Sequence, residues 1–247
     1  MVNLIYGELL KLKRSKMLPI SFLGALVTPT MMIAEGVKQH YSESDVTLNG
    51  FYNGCNLYTM LLFGLIVYAV IAAYLFSREY TERTLKTILT IPVSKTAFII
   101  SKFIMLFIWI MALTIVTWLG MFVLATVYKT VFGLAGFSII IAMRYLGKML
   151  IGGALLFITI SPFAFLALWT QGLVVPIIAV ATIAMGNVAL TNETLGALFP
   201  WSATFLLIDN RIVQTGYPCP LAITLIVLVS ILGFLASVAY FKREDVK

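Results

Sequence analysis

The chain has 247 residues and a formal net charge of +7, yet only 11% of its residues are charged and 61% are hydrophobic. Its mean hydropathy of +1.03 excludes a water-soluble globule, because a core of this size cannot bury so many apolar side chains. Several runs reach the roughly 20 apolar residues that a helix needs to cross a bilayer, and they lack the alternation of a membrane barrel. The composition predicts an all-α, polytopic membrane protein with one transmembrane domain over residues 1–247.

Basic residues precede the first apolar run. In the stretch NLIYGELLKLKRSK, Ile5, Leu9 and Leu12 recur at i, i+4 and i+7, and Lys11 and Arg14 supply a polar side. This periodicity predicts an N-terminal amphipathic helix that lies in the membrane interface. The alternative is a plain basic flank that only fixes the orientation of the first span.

Six membrane-spanning helices are predicted, at about 17–35, 53–76, 97–127, 147–169, 173–191 and 220–241. The third is too long for a bilayer and must tilt or run into the interface. Residues 128–148 are ambiguous, being either an interfacial helix or an extension of a neighbouring span. The stretch 191–220 is apolar but interrupted by prolines, which predicts broken, re-entrant helices before the last span.

Charge is distributed unevenly along these segments. The N-terminus, residues 77–102 and the C-terminus together hold twelve of the 17 basic residues and half of the ten acidic ones, so this side carries the whole net charge of +7. The positive-inside rule predicts that this side faces the cytoplasm. The protein would then lie in the cell membrane with both termini in the cytoplasm. The basic excess therefore reports topology rather than binding to nucleic acid.

The sequence lacks the signatures of an enzyme. It has one histidine, His40, in a polar loop, and neither an HExxH nor a GxSxG motif. No acidic residue lies at the centre of a predicted span, and no P-loop is present, so the chain cannot bind and hydrolyse ATP by that route. No metal or cofactor site is expected. Transport or scaffolding remains, with energy supplied by another protein.

Two cysteines, Cys55 and Cys219, fall at the outer ends of their predicted spans. A disulfide between them is conceivable, but two free thiols are favoured because the geometry of a disulfide is strict. Aromatic residues also concentrate on the outer side. They suit an amphipathic ligand, and interfacial aromatic belts explain them equally well; they are Phe51, Tyr52, Tyr58, Phe199, Trp201, Phe205 and Tyr217.

One charged stretch, SREYTERTLKTILTIPVSKT, separates the second and third predicted spans. Wound as a helix over 79–90, its charged residues form one stripe, made of Glu79, Glu82, Arg83 and Lys86. The apolar side carries Tyr80, Leu85 and Ile88, with Leu89 at the border. Pro92 ends the helix, and Ser94 is placed to cap the third span. The alternative is a solvated helix whose Glu79–Arg83 and Glu82–Lys86 pairs merely satisfy each other.

The stretch REYTERTLKTILTIPVSKTAFIISK resembles the cytoplasmic loop of type-2 ABC exporter permeases. That family has an acidic residue, a small-Thr-Leu step, an apolar pair, Pro-Val-Ser-Arg/Lys and a lysine that enters the next span. The matching positions here are Glu79, Thr84–Leu85, Ile88–Leu89, Pro92–Val93–Ser94–Lys95 and Lys102. Arg83 departs from the pattern, because the residue before the threonine is usually glycine.

The resemblance implies two permeases, identical or paired with a homologue, bound to two separate ATPase subunits that hold ATP and Mg²⁺. The helix over 79–91 would be the coupling helix, with Glu79 and Glu82 as contacts to the ATPase. Its implied site residues are Glu79, Glu82, Arg83, Leu85, Lys86, Ile88, Leu89 and Pro92.

The chain looks most similar to Gram-positive permeases that serve bacitracin resistance, lantibiotic immunity and export of peptide toxins. An amphipathic peptide is the implied substrate. The alternatives are a permease of the same fold for a lipid, polysaccharide or drug, and a non-transporting scaffold or sensor subunit.

Overall fold

The protein is described by a computed structural model that covers residues 2–42, 46–84 and 94–243. Within these ranges the chain is helical, and the only β-structure is an isolated bridge between Thr47 and Ala135. The α-helices are α1 (Val2–Lys13), α2 (Met17–Tyr41), α3 (Leu48–Leu61), α4 (Phe63–Thr81), α5 (Lys95–Phe132), α6 (Ile139–Thr170), α7 (Val174–Leu190), α8 (Pro200–Ile208) and α9 (Cys219–Arg243). Short 3₁₀ helices at Thr194–Leu198 and Ile212–Thr215 flank α8.

Among the residues that the structure describes, five helical stretches are long and apolar enough to cross a membrane: α2, α3 with α4, α5, α6 and α9. They coincide with five of the six predicted spans. The remaining predicted span, 173–191, corresponds to α7, which is apolar but has only 17 residues. α2 continues to Tyr41, beyond the predicted end at residue 35, so His40 lies on a helix and not in a loop. Its ring packs 5.1 Å from that of Phe132.

The second predicted span is not one continuous helix. It begins at Leu48 and breaks at Leu62, whose φ of −132° and ψ of −86° are not helical. The amide of Asn187 on α7 donates a 3.0 Å hydrogen bond to the carbonyl of Leu61 at this break. The break also brings the carbonyl of Thr59 against Gly64, where any Cβ would collide with that oxygen. The α3–α4 pair is the most enclosed part of the bundle.

Residues 128–148 extend both neighbouring helices. α5 runs on to Phe132, and α6 begins at Ile139 after Ser138, whose hydroxyl accepts a hydrogen bond from the amide of Ile140. The 38 residues of α5 measure about 57 Å, far more than the roughly 30 Å of a hydrocarbon core. Its predicted N-cap is confirmed, because the Ser94 hydroxyl accepts a 3.2 Å hydrogen bond from the amide of Ala97.

The predicted broken helices before the last span are also confirmed. α8 packs against α3, α6 and α9, and most of its side chains are buried. The indole of Trp201 donates to the carbonyl of Thr159 at 3.1 Å. Where α8 ends, Asp209 forms a 2.8 Å ion pair with Lys148 of α6. Pro200 is the first residue of this short helix, which packs between longer ones.

The basic segments meet at one end of the bundle. Lys95 at the start of α5 donates to the carbonyl of Lys242 near the end of α9, and the rings of Phe98 and Phe241 stack 5.4 Å apart. α1 and the end of α4 lie at the same end, where Lys11 pairs with Glu79. The N-terminal helix, residues 77–84 and 94–102, and the end of α9 thus share one end, as the charge pattern predicts. Cys55 and Cys219 are free thiols, as expected.

Candidate functional site

Four charged side chains converge where α1, α4 and α5 meet. The ammonium of Lys102 lies 2.6 Å from Oε2 of Glu79 and 3.5 Å from Oε2 of Glu8. The ammonium of Lys11 lies 3.1 Å from Oε1 of Glu8 and 3.2 Å from Oε1 of Glu79. Each lysine therefore bridges both carboxylates. We call Glu8, Lys11, Glu79 and Lys102 the ionic cluster; its formal charge is zero.

The ionic cluster is largely removed from solvent. The exposed fraction is 1% for the Lys102 side chain, 2% for Glu79 and 4% for Glu8, whereas Lys11 is 36% exposed. Lys102 also donates to the carbonyl of Leu75 at 2.5 Å, so its ammonium contacts three acceptors. Buried charges are tolerated only when they are paired and hydrogen-bonded in this way. Burial alone would lower the pKa of Lys11, but the carboxylates of Glu8 and Glu79 outweigh it and hold that pKa above its usual value.

The inward face of α1 differs from the predicted one. Leu12 is buried as expected, but its neighbour one turn earlier on that face is the carboxylate of Glu8. Leu9, predicted on the same apolar side, is 41% exposed, and Ile5 is half-buried. The prediction placed a wholly apolar stripe there because no sequence pattern reveals that Lys102 offers Glu8 a partner. The helix packs against α5, with Leu12 and Glu8 buried on its inward face.

The predicted continuous helix over 79–90 is wrong, because α4 ends at Thr81. The amide of Arg83 donates to the carbonyl of Tyr80, and the amide of Thr84 donates to the carbonyl of Glu79. Together with a φ of 55° at Arg83, these two bonds form a Schellman motif, the turn that ends many helices. Its left-handed position favours glycine, which is the residue that the resembling family usually has there. Arg83 is therefore the residue at which the chain leaves the helix axis.

The helix end separates the charged residues that the prediction placed in one stripe. Glu79 is buried in the ionic cluster, whereas Glu82 is 46% exposed and pairs with Arg78 at 2.8 Å. The predicted Glu79–Arg83 pair is absent from this part of the structure, where Arg83 is exposed. The remaining predicted site residues lie outside the described residues; they are Leu85, Lys86, Ile88, Leu89 and Pro92.

The ionic cluster lies beside the connection between α4 and α5 and joins three helices. The chain leaves α4 at Glu82 and Arg83 and re-enters α5 at Ser94, and the Glu79–Lys102 pair bridges the two helices just inside these points. Through Glu8 and Lys11 the same cluster also contacts α1. Sequence reasoning noted Lys102 only as a motif residue and missed Glu8 and Lys11. A lysine inside the apolar run AFIISKFIML was the available signal, since a buried ammonium requires a carboxylate partner.

Comparison with known proteins identifies the family of the chain. Residues 4–187 match the family described as "ABC-2 family transporter protein". The chain is 35% identical over 209 residues to the bacitracin transport permease protein BCRB of Bacillus licheniformis, an alignment that covers 85% of this chain and 98% of that protein. As a membrane subunit of this family the chain lacks ATPase activity. The family resemblance predicted from the charged stretch is thus confirmed, and the chain belongs to the ABC-2 family of transporter permeases.

Proposed function

We propose that this protein is the permease subunit of an ATP-driven exporter that moves amphipathic peptides out of the cell or its membrane. The observation that carries the proposal is the ionic cluster, which joins α1, α4 and α5 next to the connection between α4 and α5. The name of the bacitracin transport permease, which aligns over nearly its whole length, supports a peptide substrate.

The permease is proposed to cross the cell membrane six times, with α7 as the fifth crossing. A helix of 17 residues is at the lower limit for a span. The end of the bundle that holds α1, the end of α4 and the end of α9 faces the cytoplasm, because it carries the excess of basic residues. Both termini are then cytoplasmic, which agrees with an even number of crossings.

Two permeases, identical or homologous, associate with two ABC ATPase subunits, which bind ATP and Mg²⁺. The ATPase contacts the segment between α4 and α5, where Glu82 and Arg83 are exposed. Glu79 is too deeply buried for this role and instead transmits movement through Lys102. ATP-driven closure of the two ATPases would press on the segment and tilt α4, α5 and α1 together.

Charge reversal at Glu82 tests this attachment. In the permease co-expressed with its ATPase, Glu82→Lys is expected to weaken co-purification and to reduce bacitracin-stimulated ATP hydrolysis. Glu193→Lys is the matched control, because Glu193 is also exposed but lies on the far side, beside the short helices. Normal assembly and stimulation in Glu82→Lys would refute the attachment site.

Two outcomes separate the alternative functions. If wild-type permease binds an ATPase that responds to a lipid, polysaccharide or drug and not to bacitracin, the peptide substrate is wrong and the exporter role stands. If no ATPase co-purifies at all, the protein is a scaffold or sensor subunit.

A further inference from the structure

A row of polar side chains lines the inner face of α3. Tyr52, Asn56 and Thr59 recur at i, i+4 and i+7, so they stand one above another on the helix. The first two are completely buried and Thr59 is 5% exposed. We call these three residues the polar stripe. It lies inside a membrane bundle, where unpaired polar groups are costly and mark functional positions.

The polar stripe makes almost no hydrogen bonds. In the described parts of the chain, neither the hydroxyl of Tyr52, nor either polar atom of the Asn56 amide, nor the hydroxyl of Thr59 has a regular hydrogen-bond partner. The thiol of Cys55 lies next to the hydroxyl of Thr59, but thiols form only weak hydrogen bonds. Across from the stripe, the hydroxyls of Tyr68 and Thr114 are bonded to each other at 2.9 Å.

The space beside the stripe is narrow and uncharged. Asn56 and Thr59 face side chains of α4, α5 and α6, and the surrounding lining is formed by Met60, Tyr68, Thr114, Met149, Gly153 and Leu156. It is too narrow to admit a water molecule. In this conformation the polar atoms of Asn56 and Thr59 are therefore hydrogen-bonded neither to protein nor to solvent. Their hydrogen-bonding capacity can be used only when α3 separates from the helices that it faces.

The break at Leu62 gives α3 a place to turn. One residue with non-helical torsion angles joins α3 to α4, so α3 can rotate without unwinding either helix. At this break the Leu61 carbonyl is bonded to the Asn187 side chain rather than held only by its own helix. Hinges are commonly residues of this kind, at the ends of rigid elements.

We propose that the polar stripe is a binding site for neutral hydrogen-bonding groups of the transported compound, namely peptide amides, and that it opens when α3 turns about Leu62. The stripe contains donors and acceptors but no charge, which suits amides and excludes strongly ionic ligands. This inference rests on the proposed export of peptides and assigns a site within it.

Near-isosteric variants test whether the polar stripe binds the transported peptide. Tyr52→Phe and Asn56→Leu each remove unpartnered polar atoms, so the melting temperature of the purified permease should stay the same or rise. The bacitracin concentration that half-maximally stimulates ATP hydrolysis by the permease–ATPase complex should increase by about fivefold per lost hydrogen bond. Tyr68→Phe is the matched control: its hydroxyl has a partner, so its loss should lower the melting temperature.

Cys55 tests the opening itself, because it lies on α3 between Tyr52 and Asn56 and is completely buried. In a Cys219→Ser background, N-ethylmaleimide should leave Cys55 unmodified in the resting complex and should modify it during ATP turnover with bacitracin. Thiol modification is read by mass spectrometry, independently of transport.

The outcomes are distinguishable. Wild-type complex that bacitracin does not stimulate would overturn the proposed substrate class and with it the ligand of this site. Normal stimulation of the wild type with unchanged half-saturation in both variants would overturn only the polar stripe as the binding site. A lower melting temperature in Tyr52→Phe, or Cys55 that stays unmodified throughout turnover, would also overturn it.

Discussion

The ammonium of Lys102 lies 2.6 Å from the carboxylate of Glu79, and both side chains are almost completely buried. The two residues are 23 positions apart, on either side of the segment that joins α4 to α5. Lys102 reaches Glu8 of α1 as well. A buried pair of this kind adds little net stability relative to apolar side chains, but the loss of one partner is severe because it leaves a charge without compensation.

Replacing Lys102 by methionine should therefore strongly destabilise the permease. Lys102→Met leaves Glu8 and Glu79 with only Lys11 between them, and the free energy of unfolding should fall by about 3–5 kcal/mol. Thermal unfolding of the detergent-purified protein measures the change. Lys38→Met removes an exposed lysine from α2 and is the control, with little effect expected. Equal melting temperatures for the two variants would contradict the structural role of the cluster.

Arg83→Gly should stabilise the end of α4. A residue with a Cβ costs about 1 kcal/mol more than glycine in the left-handed region, and Arg83 has a φ of 55°. The expected gain is about 0.5–1 kcal/mol, seen as a higher melting temperature. Arg83→Ala retains the Cβ and should give no such gain. If both variants are equally stabilised, the arginine side chain rather than the backbone conformation is responsible.

The backbones of α6 and α9 approach each other closely at Gly233, where an added Cβ would lie 2.5 Å from the nitrogen of Pro162. Gly233→Ala must push the two helices apart, and we expect a loss of about 1–3 kcal/mol of stability. Gly147 on α6 has no atoms near its would-be Cβ. Gly147→Ala should instead stabilise by about 0.5–1 kcal/mol through helix propensity. Opposite shifts in melting temperature are the expected result, and shifts of the same sign would refute the close packing.

Asn187→Leu should destabilise the α3–α4 break. It removes the 3.0 Å hydrogen bond to the carbonyl of Leu61, at an expected cost of about 1–3 kcal/mol. Thr182→Val, on an exposed position of the same helix, should change stability by less than about 0.5 kcal/mol. The stabilities of the two variants are compared by unfolding each in increasing concentrations of denaturing detergent. A neutral Asn187→Leu variant would show that the break does not depend on α7.

Local signals in the sequence were sufficient to predict much of the fold. Apolar runs located the long helices, Ser94 marked the start of α5, and prolines marked the short helices around α8. The break at Leu62 could not be predicted in this way. The group that bonds the Leu61 carbonyl comes from Asn187, which is 126 residues away, and no periodicity encodes such a contact.

The candidate site was predictable only as a location. The charged stretch identified the connection next to which the ionic cluster lies, but Glu79 and Glu82, three residues apart, have opposite environments. The left-handed backbone conformation of Arg83 turns the chain away from the helix axis. An arginine in the sequence does not indicate such a turn. The partners of Glu79 come from α1 and α5, so its burial is a property of the assembled bundle.

The contact between Glu8 and Lys102 also constrains the order of assembly during synthesis. The two residues are 94 positions apart, so α1 emerges from the ribosome long before α5 exists to receive it. Until α4 is made, Glu8 and Lys11 have only each other as partners, and α1 must stay in the hydrated headgroup layer, where both charges are solvated. The first helix to be made therefore docks out of chain order, because its complete set of charged partners exists only after both α4 and α5 have inserted.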